Sequence, residues 1–593
     1  MGFRTFTISA MTKKEQELDQ GMRETSSANA GPVVLLIRDG WGIGKDEPGN
    51  AVLVAHTPVA DSLPGRAAHS VLEAAGEGVG LRAGVMGSSE VGHLNMGAGR
   101  IVEQEMMRVD NAIASGALFG ADRFQLLVDN CLKHGSAFHL MGLVQDQGVH
   151  ADQAHLYAIL RHLAGQGVRR IFVHFFSDGR DTPPRSALRF LAQLEDVLAE
   201  IGTGAVASVM GRYYAMDRVL NWDRTEAAYR ALVFGEGKRA SSAKSAIEEA
   251  YARADALTRA GASTGAGAGV QNEVGPLESD EFIRPTVIVD ATGAPIGIIR
   301  DNDSVLHFNY RQDRTIQLSM AFCDEGFTSF DVGSRPNISY AGLTKYYDDF
   351  PFNVLPPLLM DALLGEVLAD RRMRQLRISE YQKYRHVTSF FNGKRIEAFP
   401  FEDRVLIPSI TIPENLKPEM SAFETTKLAI AAILDGRKGL RAEAVSVEGL
   451  TCSFCEEASA DSGPEGNEYG FIVINLANCD MVGHTGVFEA AVKAVEVVDI
   501  CTGMILDAVR SANGIVLITA DHGNVEEMLD RDGHAKTAHS LNDVAAFLIP
   551  RSGESVELRP RGVLSDIAPT ILDLLSIEPP PEMTADSLIK RAA

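Results

Sequence analysis

Asp480, His484, Asp521, His522 and His539 are of the residue types that hold divalent cations. Asp480 and His484 stand four apart, a spacing that fits one helical face or a tight turn, and Asp521-His522 follow an apolar run directly. A lone Asp or His is more often a surface residue, a helix cap or a core hydrogen-bonder than a ligand. Several of them at the ends of successive apolar runs point instead to two cations with mixed oxygen and nitrogen donors, a set that suits manganese or zinc better than calcium or magnesium. Such a centre transfers phosphoryl groups if a nucleophile lies close enough to be deprotonated there. The glycine-rich run 86–100, MGSSEVGHLNMGAGR, contains a candidate in Ser89. On composition the run could equally be a plain turn before a helix. In the functional reading Ser89 opens that helix, where backbone N–H groups and the helix dipole favour an anionic phosphoryl group.

The elements that must position these groups are short β-branched runs, each followed at once by a polar cluster, the pattern of parallel strands in α/β sheets. Run 33–37 leads into Asp39-Gly40-Trp41-Gly42, run 471–474 into Asp480 and His484, and run 515–519 into Asp521-His522-Gly523-Asn524. A second set implies a second sheet: 138–144 leads into His150, 171–176 into Asp178-Gly179-Arg180-Asp181, 207–210 into Gly211-Arg212, and 305–308 into Arg311. Helical periodicity intervenes over 153–163, 188–201 and 488–509, so both sheets read as α/β. Residues 253–275, rich in Ala, Gly, Ser and Thr, and the acidic stretch 456–468 read as flexible surface insertions. Residues 1–30 read as a mobile tail.

A chain of 593 residues is too long for one ordinary core, and its 45% hydrophobic and 23% charged residues are those of a globular protein. The net charge of -23 argues against nucleic acid and anionic membranes as partners, and an anionic ligand would need a local basic pocket. No apolar run approaches the roughly 20 residues of a membrane-spanning helix, and no secretory signal is apparent, so a cytoplasmic enzyme is expected. The six cysteines read as reduced thiols, Cys452 and Cys455 included.

Taken together, Asp39-Gly40-Trp41-Gly42, Ser89-Glu90-Val91-Gly92-His93-Leu94-Asn95, Asp178-Gly179-Arg180-Asp181-Thr182-Pro183-Pro184, Gly211-Arg212-Tyr213-Tyr214-Ala215-Met216-Asp217-Arg218, Lys383-Tyr384 with His386-Val387-Thr388, and the 480–484 and 521–524 stretches resemble the cofactor-independent (2,3-bisphosphoglycerate-independent) phosphoglycerate mutases of the alkaline phosphatase superfamily. The resemblance runs from about Pro32 to near the C-terminus. It implies an α/β fold: an alkaline-phosphatase-like lobe split in sequence between 31–103 and 353–593, with a second, transferase-like α/β lobe inserted at 104–352 and the active site between the lobes. It implies one metal on Asp39, Ser89, Asp521 and His522 and another on Asp480, His484 and His539. The expected ions are two Mn2+, with Zn2+, Co2+ or Mg2+ as substitutes. Substrate contacts carry over to His150, Arg180, Asp181, Arg212, Arg218, Arg311, Arg314 and Lys383, and arginine forks suit a ligand with a carboxylate and a phosphate. The implied activity is interconversion of 3-phosphoglycerate and 2-phosphoglycerate by a monomer, through a phosphoserine on Ser89, with Asp181 moving protons and Lys383 neutralising charge. The rivals are a metal-dependent phosphatase or phosphopentomutase of the same superfamily, and a non-catalytic phospho-ligand sensor. The sequence departs from the family pattern at Ser88, where Asn is usual, at Arg38, where an apolar residue is usual, at Gln145 and Gln147, and at Asp543, where Pro is frequent.

Overall fold

The computed structural model describes residues 31–264, 279–347, 350–358, 360–444, 468–530 and 533–590. The 1–30 tail, the Cys452 and Cys455 pair, residues 265–275 and, apart from Glu468, the 456–468 stretch lie outside the described residues. The chain divides into two compact units, Met1–Glu103 with Met360–Ala593, and Gln104–Leu359. The return to the first unit comes at Met360 rather than at residue 353, because Val354 and Leu355 are still buried in the core of the second.

The first unit is built on an eight-stranded sheet. Its order is Glu402–Ile407, Gln375–Glu380, Phe471–Leu476, Val33–Arg38, Ile515–Thr519, Val544–Ile549, Ala68–Glu73, Arg561–Val563. The first five strands run parallel, whereas Val544–Ile549 pairs antiparallel with both its neighbours. The central strands, VVLLIR, FIVINL and IVLIT, are buried along their whole length, which is why their sequences are continuous apolar runs rather than alternating ones. The Phe488–Ser511 helix buries Ala491, Ala494, Val495, Val498 and Ile505 into this core.

A seven-stranded sheet organises the second unit, in the order Lys238–Ala240, Thr286–Ile288, Ala205–Gly211, Ile171–Ser177, Phe138–Leu143, Ser304–His307, Ser339–Gly342. The run from Ala205–Gly211 to Ser339–Gly342 is parallel throughout, and Thr286–Ile288 is antiparallel to Ala205–Gly211. The expected helices are present as Gln153–Gly165, Ala187–Ile201 and Phe488–Ser511. The reading of 253–275 as a flexible surface insertion fails over its first part. The Ala243–Thr264 helix continues through it, since alanine is the strongest helix former and Ile247 and Ala254 are buried anchors. Among the described residues no helix is long and apolar enough to cross a membrane. Cys131, Cys323, Cys479 and Cys501 are free thiols.

The glycine-rich run forms the Ser89–Ala98 helix, with Ser88 as its N-cap and Gly99 in the left-handed conformation as its C-cap. A Cβ on Gly97 would collide with the carbonyl oxygen of Phe391, and one on Gly92 would lie 2.6 Å from the carbonyl oxygen of Asp521. Gly97→Ala is therefore expected to destabilise the first unit by about 1–3 kcal/mol, the usual cost of overpacking, despite the better helix propensity of alanine. The check is the urea midpoint followed by Trp41 fluorescence in a Trp222→Phe background.

Candidate metal centre and recognition cluster

In the first unit Asp39, Asp480 and Asp521 all follow the carboxyl ends of adjacent parallel strands, and the Asp480 N–H donates to the Asp39 carbonyl at 3.1 Å. Ser89, at the first position of its helix and 5% exposed, meets them. Its Oγ lies 2.9 Å from His522 Nε2 and 3.3 Å from Asp39 Oδ1. Lys383, on the short Tyr381–Arg385 helix after the Gln375–Glu380 strand, donates to Ser89 Oγ and Asp480 Oδ2, each at 2.6 Å, and to Asp39 Oδ1 at 2.7 Å.

Asp480 lies in the Asn478–Gly483 helix and His484 caps its end, so the spacing of four puts them on one face. Asp480 Oδ1 is 3.2 Å from His484 Nε2 and 3.1 Å from His539 Nε2, and the two imidazole Nε2 atoms are 3.1 Å apart. The other ring nitrogens face backbone carbonyls: His484 Nδ1 meets Thr537 O at 2.7 Å and His539 Nδ1 meets Gly87 O at 2.8 Å. Donation of these N–H groups leaves both Nε2 lone pairs facing each other and a carboxylate, an arrangement that only a shared positive charge stabilises.

Two donor groups thus form, Asp39 with Asp521 and His522, and Asp480 with His484 and His539, each with its ligand atoms within 4.8 Å of one another. The residues fit divalent cations on three grounds. Three carboxylates are buried against the one lysine ammonium they surround. Asp521 Oδ2 is buried and, among the described residues, has no hydrogen bond of its own, the nearby His93 Nδ1 at 3.3 Å being bonded to Ser89 O. The donors are the oxygen and imidazole types that transition metals take. The titration behaviour points the same way. Burial, then the neighbouring Asp521, push the Asp39 carboxyl above its ordinary range. Burial would also raise Asp480, but Lys383 and the surrounding imidazoles hold it well below that range. In return its carboxylate raises His484 directly and raises His539 against the effect of burial. The Lys383 ammonium is held charged by Asp39, Asp480 and Asp521 although burial opposes it.

Sequence reasoning did not single out the residues that hold these groups in place. Asn475 donates to Asp39 Oδ2 at 2.7 Å from inside its strand. Asn524 donates to Asp480 Oδ1 at 2.9 Å. His93 Nδ1 sits 2.9 Å from Ser89 O and 3.3 Å from Asp521 Oδ2. His93 and Asn524 stand in the quoted motifs but carry no ligand spacing of their own, and Asn475 is hidden in an apolar run. Ser88 accepts from Val91 N as the helix cap, a job its amide counterpart also performs. Arg38 is buried with its guanidinium over the Trp41 ring at 4.2 Å.

The second unit gathers the remaining predicted residues. His150, Arg180, Asp181, Arg212, Arg311 and Arg314 follow the carboxyl ends of four neighbouring parallel strands, and Arg218 comes shortly after the Arg212–Ala215 helix. Arg212 is 2% exposed. It donates to Asp181 Oδ2 at 2.7 Å, to His150 Nε2 at 2.9 Å and to Asp178 Oδ1. Burial, then Arg212, lower His150 to about 3, so its ring is neutral and accepts from the guanidinium. Asp313, which the sequence did not flag, receives Arg218 at 2.6 Å and lies 3.4 Å from Arg311 Nε. Arg314 donates to Met216 O at 3.0 Å, and Arg180 lies 3.7 Å from Glu281. Lys383 is not in this group, since its partners are Asp39, Ser89 and Asp480 in the first unit.

Two measurements probe these groups. Removing one ring of the Asp480 set with His539→Ala is expected to lower bound divalent metal after dialysis from two equivalents per chain to about one, read by mass spectrometry; two retained equivalents would remove His539 from the set. Asp178→Ala strips a partner from buried Arg212 and is expected to cost the second unit about 3 kcal/mol, read from the urea midpoint of Trp222 fluorescence in a Trp41→Phe background.

Comparison with known proteins places this geometry. The sequence model described as "BPG-independent PGAM N-terminus" matches residues 109–348, and that of the metalloenzyme superfamily matches residues 458–579. Divalent-metal dependence is supported by that match and by the donor groups. A crystal structure of Leishmania mexicana phosphoglycerate mutase at low cobalt concentration is similar with a TM-score of 0.62 and 32% identity, over 96% of this chain and 99% of that one. The 2,3-bisphosphoglycerate-independent phosphoglycerate mutases of Moorella thermoacetica and Thermomicrobium roseum are 43% and 44% identical over 561 and 565 residues, which cover 94% of this chain and 98% of each of theirs. At that identity over nearly the whole length, the chain belongs to the family of 2,3-bisphosphoglycerate-independent phosphoglycerate mutases.

Proposed function

We propose that the protein interconverts 3-phosphoglycerate and 2-phosphoglycerate through a phosphoserine on Ser89, with no diffusible bisphosphate. The observation that carries this reading is the setting of Ser89 Oγ, at a helix N-terminus and within hydrogen-bond reach of Lys383, His522 and Asp39. A hydroxyl so placed is a poised nucleophile, and the helix start favours the anion it would carry.

Asp39, Ser89, Asp521 and His522 would hold one divalent cation and Asp480, His484 and His539 the other, with Mn2+ the ion we favour on the mixed oxygen and imidazole set. When bound, the ions supply Lewis-acid charge that lowers the serine pKa and offsets the charge of the transferring group.

The remaining steps fall to side chains. Ser89 Oγ, entering and leaving the cycle as the alkoxide, attacks phosphorus, the bond from phosphorus to the C3 oxygen breaks, and Asp181, entering in its protonated form, gives that oxygen its proton. Lys383, donating to Ser89 Oγ, opposes the negative charge of the phosphoryl group. Arginines of the second unit, Arg212 and Arg314 among them, hold the glycerate carboxylate while it turns. Asp181 then takes the C2 hydroxyl proton, that oxygen attacks the phosphoserine, and the bond to Ser89 breaks. The protons balance, with one given and one taken by the same carboxyl. Asp181 suits this role because Arg212 fixes one of its oxygens while its side chain is 20% exposed. The free thiols Cys131, Cys323, Cys479 and Cys501 suit a cytoplasmic location.

The test is conversion of 3-phosphoglycerate by the Mn2+-loaded protein with no bisphosphoglycerate added, following phosphate release in the same tube. Interconversion with little phosphate released, lost by roughly 10³-fold or more in Ser89→Ala, is the expected result. Phosphate release without interconversion would make the protein a phosphatase, and no turnover of either kind would leave a binding protein.

A further inference from the structure

The Arg212–Ala215 helix carries Arg212 of the recognition cluster and, two residues on, Tyr214, which lines a different cavity. This cavity has a volume of about 480 Å3, and its charged wall residues are Arg230, Glu236, Lys238 and Arg284. Arg230 is already neutralised, because its guanidinium grips Glu236 in a two-pronged pair at 2.7 and 3.0 Å. Lys238 and Arg284 have no ion-pair partner among the described residues. They are held side by side: Lys238 opens an edge strand paired in parallel with Thr286–Ile288, and its N–H donates to Pro285 O at 3.0 Å.

A third cation lies near Arg284, outside the cavity wall. Arg253, on the Ala243–Thr264 helix, is close enough to Arg284 that, after burial, this neighbour is the largest influence lowering its pKa. Burial raises the Tyr214 phenol while Arg284, Arg253 and Arg224 pull it back, so the O–H remains a donor facing cationic neighbours.

What sets this grouping apart is that its unpaired cations share one concavity. Several arginines of the unit are answered by carboxylates, as in Arg161–Glu200, Arg185–Asp255 and Arg224–Asp217. In a chain of net charge -23, adjacent cations that repel one another in a concavity, with carboxylates available elsewhere, focus a positive potential that only an anion relieves. Guanidinium forks, an ammonium and a phenol are the donor set that phosphate oxygens take.

We infer that this cavity binds a phosphate-bearing small anion, through Lys238, Arg284 and Tyr214, at a site distinct from the His150 and Arg212 cluster. The inference does not depend on the mutase reading. Its test is the rate of amine acylation at Lys238 in the metal-loaded protein, followed by peptide mass spectrometry with exposed Lys133 as internal reference. Inorganic phosphate at roughly four times its Kd is expected to slow labelling of Lys238 about fivefold, with no effect at Lys133 and none from sodium chloride of equal ionic strength. The protection should vanish in Arg284→Gln, a substitution outside the proposed catalytic groups that should leave 3-phosphoglycerate turnover intact. Glycerol 3-phosphate, run in parallel, separates sources: equal protection means that the phosphate group alone is recognised, and stronger protection means that a phosphate ester is the preferred ligand. Equal slowing at Lys133, equal slowing by chloride, or protection that persists in Arg284→Gln would each overturn the assignment.

Discussion

Three carboxylates and one ammonium are buried together around a serine hydroxyl, and the first unit is organised by that constraint. An isolated buried charge costs several kcal/mol, so Asp39, Asp480 and Asp521 can share a pocket only if positive charge is supplied. Lys383 provides part of it by spending all three of its donors on Asp39, Asp480 and Ser89. The rest of the demand shows in the elevated carboxyl of Asp39 and in the upward shifts of His484 and His539. Three buried carboxylates around one ammonium leave a deficit of positive charge that divalent cations fit. The parallel register brings this about: Arg38 pairs with Leu476 and Ile37 with Thr519, so the three strands end level and the loops after them converge.

The second unit solves a different electrostatic problem with the same architecture. The sequence led to the expectation of a strongly positive pocket, yet the structure sets the guanidiniums of Arg180, Arg212, Arg218 and Arg311 among Asp178, Asp181, Asp313 and Glu281. The local field is therefore far weaker than the arginines alone would give. What the carboxylates contribute is position. Arg212 is held in place by Asp178, Asp181 and His150, so little side-chain entropy remains to be lost when a ligand is gripped. Such a pocket recognises shape and the direction of hydrogen bonds more than net charge.

The strands that carry ligands were legible because they are buried on both faces and thus spelled as unbroken apolar runs, as in VVLLIR and IVLIT. The Gln375–Glu380 strand, which delivers Lys383, was not legible as a strand. Its sequence, QLRISE, places Arg377 and Ser379 in the interior, with the Arg377 guanidinium over the Phe391 and Phe471 rings, and this breaks the pattern that marks a core strand. The Val544–Ile549 and Ala68–Glu73 strands escaped for a simpler reason: they are half-buried and antiparallel, and no functional cluster follows them. Among site residues, those whose type is itself a ligand or a cation were visible from the sequence. Asn475 and Asp313 were not, and Asp178 was quoted in a motif without a role of its own, because each acts through another side chain and only three-dimensional proximity gives it a role.

The Ser89–Ala98 helix shows how far local preference yields to the site. Two of its ten residues are glycine, each costing about 1 kcal/mol of helix propensity relative to alanine, and nine of the ten are buried, so it is not amphipathic in the ordinary sense. Both glycines stand where another segment's carbonyl approaches the helix: that of Asp521 at Gly92 and that of Phe391 at Gly97. The approach at Gly92 brings the Asp521-His522 loop against the first turn of the helix, and this proximity sets His522 Nε2 2.9 Å from Ser89 Oγ. A side chain at Gly92 would push that loop away from the serine. The helix therefore gives up intrinsic stability at two positions, recovers it through burial of Leu94, Met96 and Ala98, and in exchange fixes the one hydroxyl on which the proposed chemistry turns.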